Sequence, residues 1–151
     1  MVKDPFSRKQ KYEIVTALEG RGEVPMKFEY MGDYGARNWE DVQKSNTDPK
    51  VKGLLYYQSQ LMDRKAGSLL ESFGKVPMLN VIDLGCGDGT PILPIMKHLT
   101  KKYTAKKIKY IPLDISKEML AVASKEVKSK FSVQIIPYVR DFEAGRNASS
   151  R

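Results

Sequence analysis

The chain has 151 residues, 41% hydrophobic and 29% charged, with 26 Lys and Arg against 18 Asp and Glu for a net charge of +8; its mean hydropathy is −0.45. That leaves room for one domain with a core, too little for two ordinary ones, and argues against wholesale disorder. The amino terminus lacks a signal-peptide core and no run approaches the roughly 18 apolar residues of a membrane span, so no membrane is expected, while a single cysteine, Cys86, rules out an internal disulfide and points to a reducing, cytoplasmic home.

The spacing predicts a helix over Ser7 to Glu19, with Ser7 as its cap, Ile14, Val15 and Leu18 on one side, and Gly20 as its stop. From Arg21 to Lys50, Gly22, Pro25, Gly32, Gly35 and Pro49 alternate with Phe28, Tyr30, Tyr34 and Trp39, which reads as an ordered loop region or lid. Tyr34 and Trp39 are candidates for a ligand contact, although rings that cover a core are the plainer reading. Between Val51 and Phe73, Leu54, Leu55, Leu61, Met62, Leu69, Leu70 and Phe73 recur at helical spacing, with Gly74 and Pro77 to end the helix. Tyr56 and Tyr57 near its start are candidates for a substrate pocket.

Leu79 to Leu84 is a short Val/Ile/Leu-rich run of the kind a buried strand requires. It breaks into Gly85-Cys86-Gly87-Asp88-Gly89, where alternate glycines permit positive φ and remove the Cβ atoms that would hold a ligand away. Thr90 is placed to cap a helix with Pro91 at its first position and Ile92, Leu93, Ile95, Met96 and Leu99 for burial. His98, the one histidine, reads as a surface residue favoured by the helix dipole. Lys97, Lys101, Lys102, Lys106, Lys107 and Lys109 follow; they would suit nucleic acid, but only Tyr103 and Tyr110 interleave, and a solvated helix end explains them more simply.

Lys107 to Asp114 reads as a second strand, and Ser116 caps a helix that buries Met119, Leu120, Val122, Ala123 and Val127. Phe131 to Val139 reads as a third strand, containing Pro137 and followed by Arg140-Asp141-Phe142. Strands alternating with helices predict an α/β fold of parallel βαβ units. The expected organisation is a helical and loop segment over 1–77, a Rossmann-like half-domain over 78–143 and a frayed tail over 144–151.

Three strands thus end at an acid, Asp83, Asp114 and Asp141, and in a parallel sheet those ends share the edge where open α/β folds bind ligands. A carboxylate at the second position can accept both hydroxyls of a ribose. The turn's Gly-x-Gly-x-Gly spacing and its neighbours Asp83 and Asp88 disfavour a phosphate and suit a cationic ligand. No metal-ligand pattern stands out.

Asp83-Leu84-Gly85-Cys86-Gly87-Asp88-Gly89 resembles motif I of class I S-adenosylmethionine-dependent methyltransferases. Tyr110-Ile111-Pro112-Leu113-Asp114-Ile115-Ser116-Lys117-Glu118-Met119-Leu120 and Val139-Arg140-Asp141-Phe142 are similar to the branch holding the histidine Nα-methyltransferases of ergothioneine synthesis and the fungal dimethylallyltryptophan N-methyltransferases. The resemblance covers roughly Leu79 to Glu143; a lysine that follows that branch's glycine turn is replaced by Pro91 and Ile92. It implies S-adenosylmethionine as cofactor, held by Asp83, Gly85, Cys86, Gly87, Asp88, Gly89, Asp114, Ile115, Asp141 and Phe142, with Asp114 on the ribose and Asp141 and Phe142 on the adenine side. It implies an amino-acid or small-molecule acceptor and a Rossmann-like three-layer α/β/α sheet ordered 3-2-1-4-5-7-6, of which this chain supplies strands 1 to 3. Pro137 is tolerated because strand 3 is an edge. Strand 1 is left with an unpaired flank that a second chain or the amino-terminal segment would cover, and weak or absent transferase activity is expected of the chain alone. No side chain is singled out as a catalytic base. A non-catalytic binding module and an RNA methyltransferase are the alternative functions.

Overall fold

The computed structural model describes Asp4 and residues 6–142; the tail expected over 144–151 lies outside them. Helix α1 spans Arg8–Arg21, opened by a capping box in which Ser7 and Gln10 satisfy each other's backbone N–H. It runs past Gly20 because Gly22, not Gly20, takes the left-handed conformation (φ 72°) that turns the chain and returns an N–H to Leu18. Val15 and Leu18 remain exposed, and Ala17 is the buried contact.

The segment expected to be a loop region is instead helical. A 3-10 turn covers Met26–Tyr30 and helix α2 covers Gly32–Thr47. The glycines that suggested turns serve packing: a Cβ on Gly35 would lie 2.6 Å from the carbonyl oxygen of Glu29 and the carbonyl carbon of Tyr30, so only glycine lets α2 lie against the 3-10 turn. Helix α3, Leu54–Glu71, buries Ala66 and Leu70, whereas Leu54, Leu61 and Leu69 of the expected apolar set face outward.

Strand β1, Leu79–Leu84, pairs in parallel with β2, Ile108–Asp114, in a register that sets Val81 beside Tyr110 and Asp83 beside Pro112. The third strand is split. Gln134–Ile135 (β3) and Tyr138–Val139 (β4) each pair in parallel with β2 on the side away from β1, separated where Pro137 offers no N–H. The order is therefore 3-2-1, with the proline on an edge. Helix α4 covers Leu93–Lys102, starting later than expected because Thr90 is not its cap: the Thr90 hydroxyl donates to Asp88 Oδ2 at 2.9 Å, and residues 90–92 form a turn. Helix α5, Lys117–Lys130, is capped by Ser116, which accepts from the Met119 N–H at 3.2 Å.

One core cluster holds Leu70 of α3, Met96 and Leu99 of α4, Val127 of α5, and Ile108 and Tyr110 of β2, with Leu79 and Val81 packed against it. Helices α4 and α5 thus cover the same face of the sheet, as two successive crossovers stepping the same way require. Ile82 and Leu84 point to the other face and are 61% and 67% exposed. His98 is partly buried, not a surface residue, because a Cβ on Gly67 would sit only 3.5 Å from its ring and the two helices approach closely there. Among the described residues no helix is long and apolar enough to cross a membrane.

Candidate functional site

The glycine turn is shaped by what each glycine meets. Gly85 (φ 66°) faces open space, Gly87 (φ 53°) lies under the indole nitrogen of Trp39, which a Cβ would approach to 2.9 Å, and Gly89 (φ 79°) is pressed onto Ala123 of α5. The turn's amides are committed inward. Gly85 and Cys86 N–H donate to Leu113 O at 2.8 and 3.1 Å, Gly87 N–H to Asp114 Oδ2 at 3.1 Å, Gly89 N–H to Cys86 O at 3.0 Å and Thr90 N–H to Asp88 Oδ1 at 2.8 Å. A phosphate-binding turn needs such donors aimed at its ligand. This one commits them to the end of β2 and to its own Cys86 and Asp88, in keeping with the cationic ligand expected from the acids.

The four acids divide by role. Asp114 is 9% exposed at the end of β2, its carboxylate taking the Gly87 N–H on one oxygen and the Ser116 N–H on the other at 2.9 Å. Each oxygen keeps a further lone pair, so two ligand hydroxyls can still be accepted. Asp83 accepts the Tyr110 hydroxyl at 2.8 Å, and burial holds its pKa above the ordinary 3.8, with the Asp114 charge adding to the rise and the tyrosine bond opposing it. Asp88 is turned toward Thr90 and α2. Asp141 pairs with Lys27, Nζ to Oδ2 3.1 Å, and Lys27 also meets Glu13 of α1.

These elements enclose a cavity of about 470 Å³ at the carboxyl ends of the strands, where open α/β sheets place ligands and within the usual size of a small-molecule site. Of the residues expected to bind the cofactor, Gly85, Gly87, Asp114, Ile115, Asp141 and Phe142 line it. Asp83, Cys86, Asp88 and Gly89 stand behind it as supports. Cys86 packs with Leu120 and Ala123, and burial pushes its thiol pKa well up. Tyr56 and Tyr57 do not reach the cavity: they stack edge-on at 5.5 Å at the start of α3, which packs onto α2 and α4.

The opposite wall comes from Trp39 of α2, a candidate contact from the sequence, and from residues the sequence left as lid or core, Met26, Lys27 and Tyr30 of the 3-10 turn, joined by Met119 of α5 and Arg140. The fellow candidate Tyr34 does not line the cavity. Tyr30 and Trp39 meet edge-to-face at 5.2 Å. Trp39 carried the one available signal, an aromatic ring among turn residues. A buried carboxylate with spare lone pairs, a glycine open to the cavity and an aromatic wall fit a nucleoside with a cationic group, as S-adenosylmethionine is.

Among solved structures, the chain is similar to the plantazolicin methyltransferase BpumL in complex with S-adenosylhomocysteine, at 16% identity and TM-score 0.47, over 89% of this chain and 44% of that one. It is also similar to magnesium protoporphyrin IX methyltransferase from Synechocystis PCC 6803 with bound S-adenosylhomocysteine, at 20% identity and TM-score 0.43, over 88% and 50%. The chain thus spans about half the length of the solved structures it matches. No curated protein matches it. The model of the family described as histidine-specific, S-adenosylmethionine-dependent methyltransferases matches residues 55–151, from α3 through the glycine turn to Asp141 and beyond, and the chain belongs to that family.

Proposed function

We propose that the cavity binds S-adenosylmethionine and serves methyl transfer to nitrogen on an amino acid or similar small molecule, histidine being the acceptor class in the family's description. The observation that carries this reading is Asp114, a buried carboxylate at the end of β2 that opens onto the cavity beside the uncovered Gly85. When bound, the cofactor supplies an electrophilic methyl group on a sulfonium. The chain's own part is to hold it: Asp114 accepts ribose hydroxyls, Asp141 and Phe142 flank the adenine, and the Trp39 and Tyr30 rings offer faces that favour a positive centre. In-line displacement draws much of its rate from such positioning.

A small acceptor is favoured over RNA by where the lysines stand. Lys106 and Lys107 precede the first residue of β2, whereas the cavity opens at its last. Seven residues of strand separate the two by about 20 Å. Lys102 and Lys97 are engaged with the end of α3 and with Asp63.

Calorimetric titration with S-adenosylmethionine tests the reading, expected to show one site per chain that Asp114→Ala weakens at least tenfold, the size of a lost charge-assisted bond pair. Absence of binding, or binding that Asp114→Ala leaves unchanged, refutes it. Radiolabelled methyl transfer offered to histidine and to RNA in parallel tests the acceptor class.

A further inference from the structure

Gln43 lies in the middle of α2, far in sequence from the glycine turn, and is 4% exposed. With its amide oriented as its partners require, the nitrogen donates to both carboxylate oxygens of Asp88, at 2.5 and 2.6 Å, and the oxygen accepts from Trp39 Nε1 at 3.1 Å. Asp88 in turn holds the Thr90 N–H and hydroxyl, at 2.8 and 2.9 Å, and Gly87 next to it donates to Asp114. Hydrogen bonds thus join Trp39 through Gln43 to Asp88, and the backbone joins Asp88 to Gly87, whose N–H meets the acid at the end of β2. Gln43 and Asp88 do not line the cavity; Trp39, Gly87 and Asp114 do.

We propose that Gln43 is a positioning residue for cofactor binding, fixing the Trp39 ring and the glycine turn relative to each other by bonding both at once. The inference rests on the reading of this cavity as the cofactor site. Gln43 and Trp39 are both upstream of the family match, which starts at residue 55, so the part of the chain outside that match sets the geometry of the turn within it. Burial of Gln43 gives the bond its weight, because an amide buried without its partner bears the cost of desolvation.

The test is a double-mutant cycle of Gln43→Met, close in shape and without the amide, with Asp88→Asn, reading the dissociation constant of S-adenosylhomocysteine by calorimetry. Trp39 is the only tryptophan, so its emission reports the wall separately. Gln43→Met is expected to weaken binding about tenfold, one charge-assisted hydrogen bond, and to shift Trp39 emission before any ligand is added. In the Asp88→Asn background the same substitution is expected to cost less than about twofold, because the partner charge is gone. A purely structural role would lower the unfolding midpoint and leave the dissociation constant within twofold of the parent; that result, or additive losses in the double variant, overturns the proposal. Should Gln43→Met not fold, Trp39→Phe keeps an aromatic side chain while deleting the indole N–H with its five-membered ring, and unchanged affinity there overturns it equally. Failure of the parent chain to bind refutes the cofactor reading and this inference with it, whereas a binding parent matched by its variants refutes the Gln43 inference alone.

Discussion

Asp83 is a carboxylate held where water is scarce, with one hydroxyl, that of Tyr110, to meet its charge. Its pKa is raised in the folded chain, so the folded state holds the proton more tightly than the unfolded one. Asp83 therefore subtracts from stability once the pH exceeds the ordinary 3.8, and the penalty is complete above the raised value. Asp83→Asn retains an oxygen for the Tyr110 bond and removes the charge; its unfolding midpoint is expected to exceed the parent's at pH 7, with the difference closing as the pH falls toward 3.8. Thermal unfolding at a series of pH values checks both sign and window. That β1 carries an acid near its end and runs into a glycine turn was legible in the sequence, because both are local. Which glycine opens to the cavity was not: Gly85, Gly87 and Gly89 look alike in the chain, and only tertiary neighbours, Trp39 above one and Ala123 against another, tell them apart.

Among the elements, β1, β2 and the helices α1, α3 and α5 were the readable ones. β2 alternates and ends in an acid, and Ser116 caps α5 through its own side chain. Helix α2 was not readable, for a physical reason. It has no side-chain cap and begins Gly-Asp-Tyr-Gly, a poor helix former in isolation. It is kept helical by the tight fit of Gly35 on the 3-10 turn and by the Gln43 contacts, which no local pattern announces. The same dependence on neighbours appears where α3 ends. Its last carbonyls are met from α4, with Lys102 Nζ donating to Leu70 O and Phe73 O at 2.5 Å each and the Tyr103 hydroxyl to Gly74 O at 2.8 Å. Lys102→Met keeps the stem and loses those bonds, and urea unfolding is expected to show a loss of about 1–2 kcal/mol.

At the scale of the molecule, helices line one face of the sheet while Ile82 and Leu84 stand on the other, and among the described residues β1 pairs on one side only. Exposed apolar side chains on a strand with one unpaired edge promote self-association. Ile82→Thr with Leu84→Lys is expected to reduce concentration-dependent light scattering while changing unfolding free energy by under about 1 kcal/mol and leaving cofactor affinity unchanged. The two-part wall of the cavity bears on time as much as on affinity. The glycine turn, Asp114 and Asp141 line one side of the cavity, whereas Met26, Lys27, Tyr30 and Trp39 line the other. On the reading proposed above, the second side belongs to residues upstream of the family match, so substitutions there are expected to change the rate at which a bound molecule leaves, read by stopped-flow dissociation.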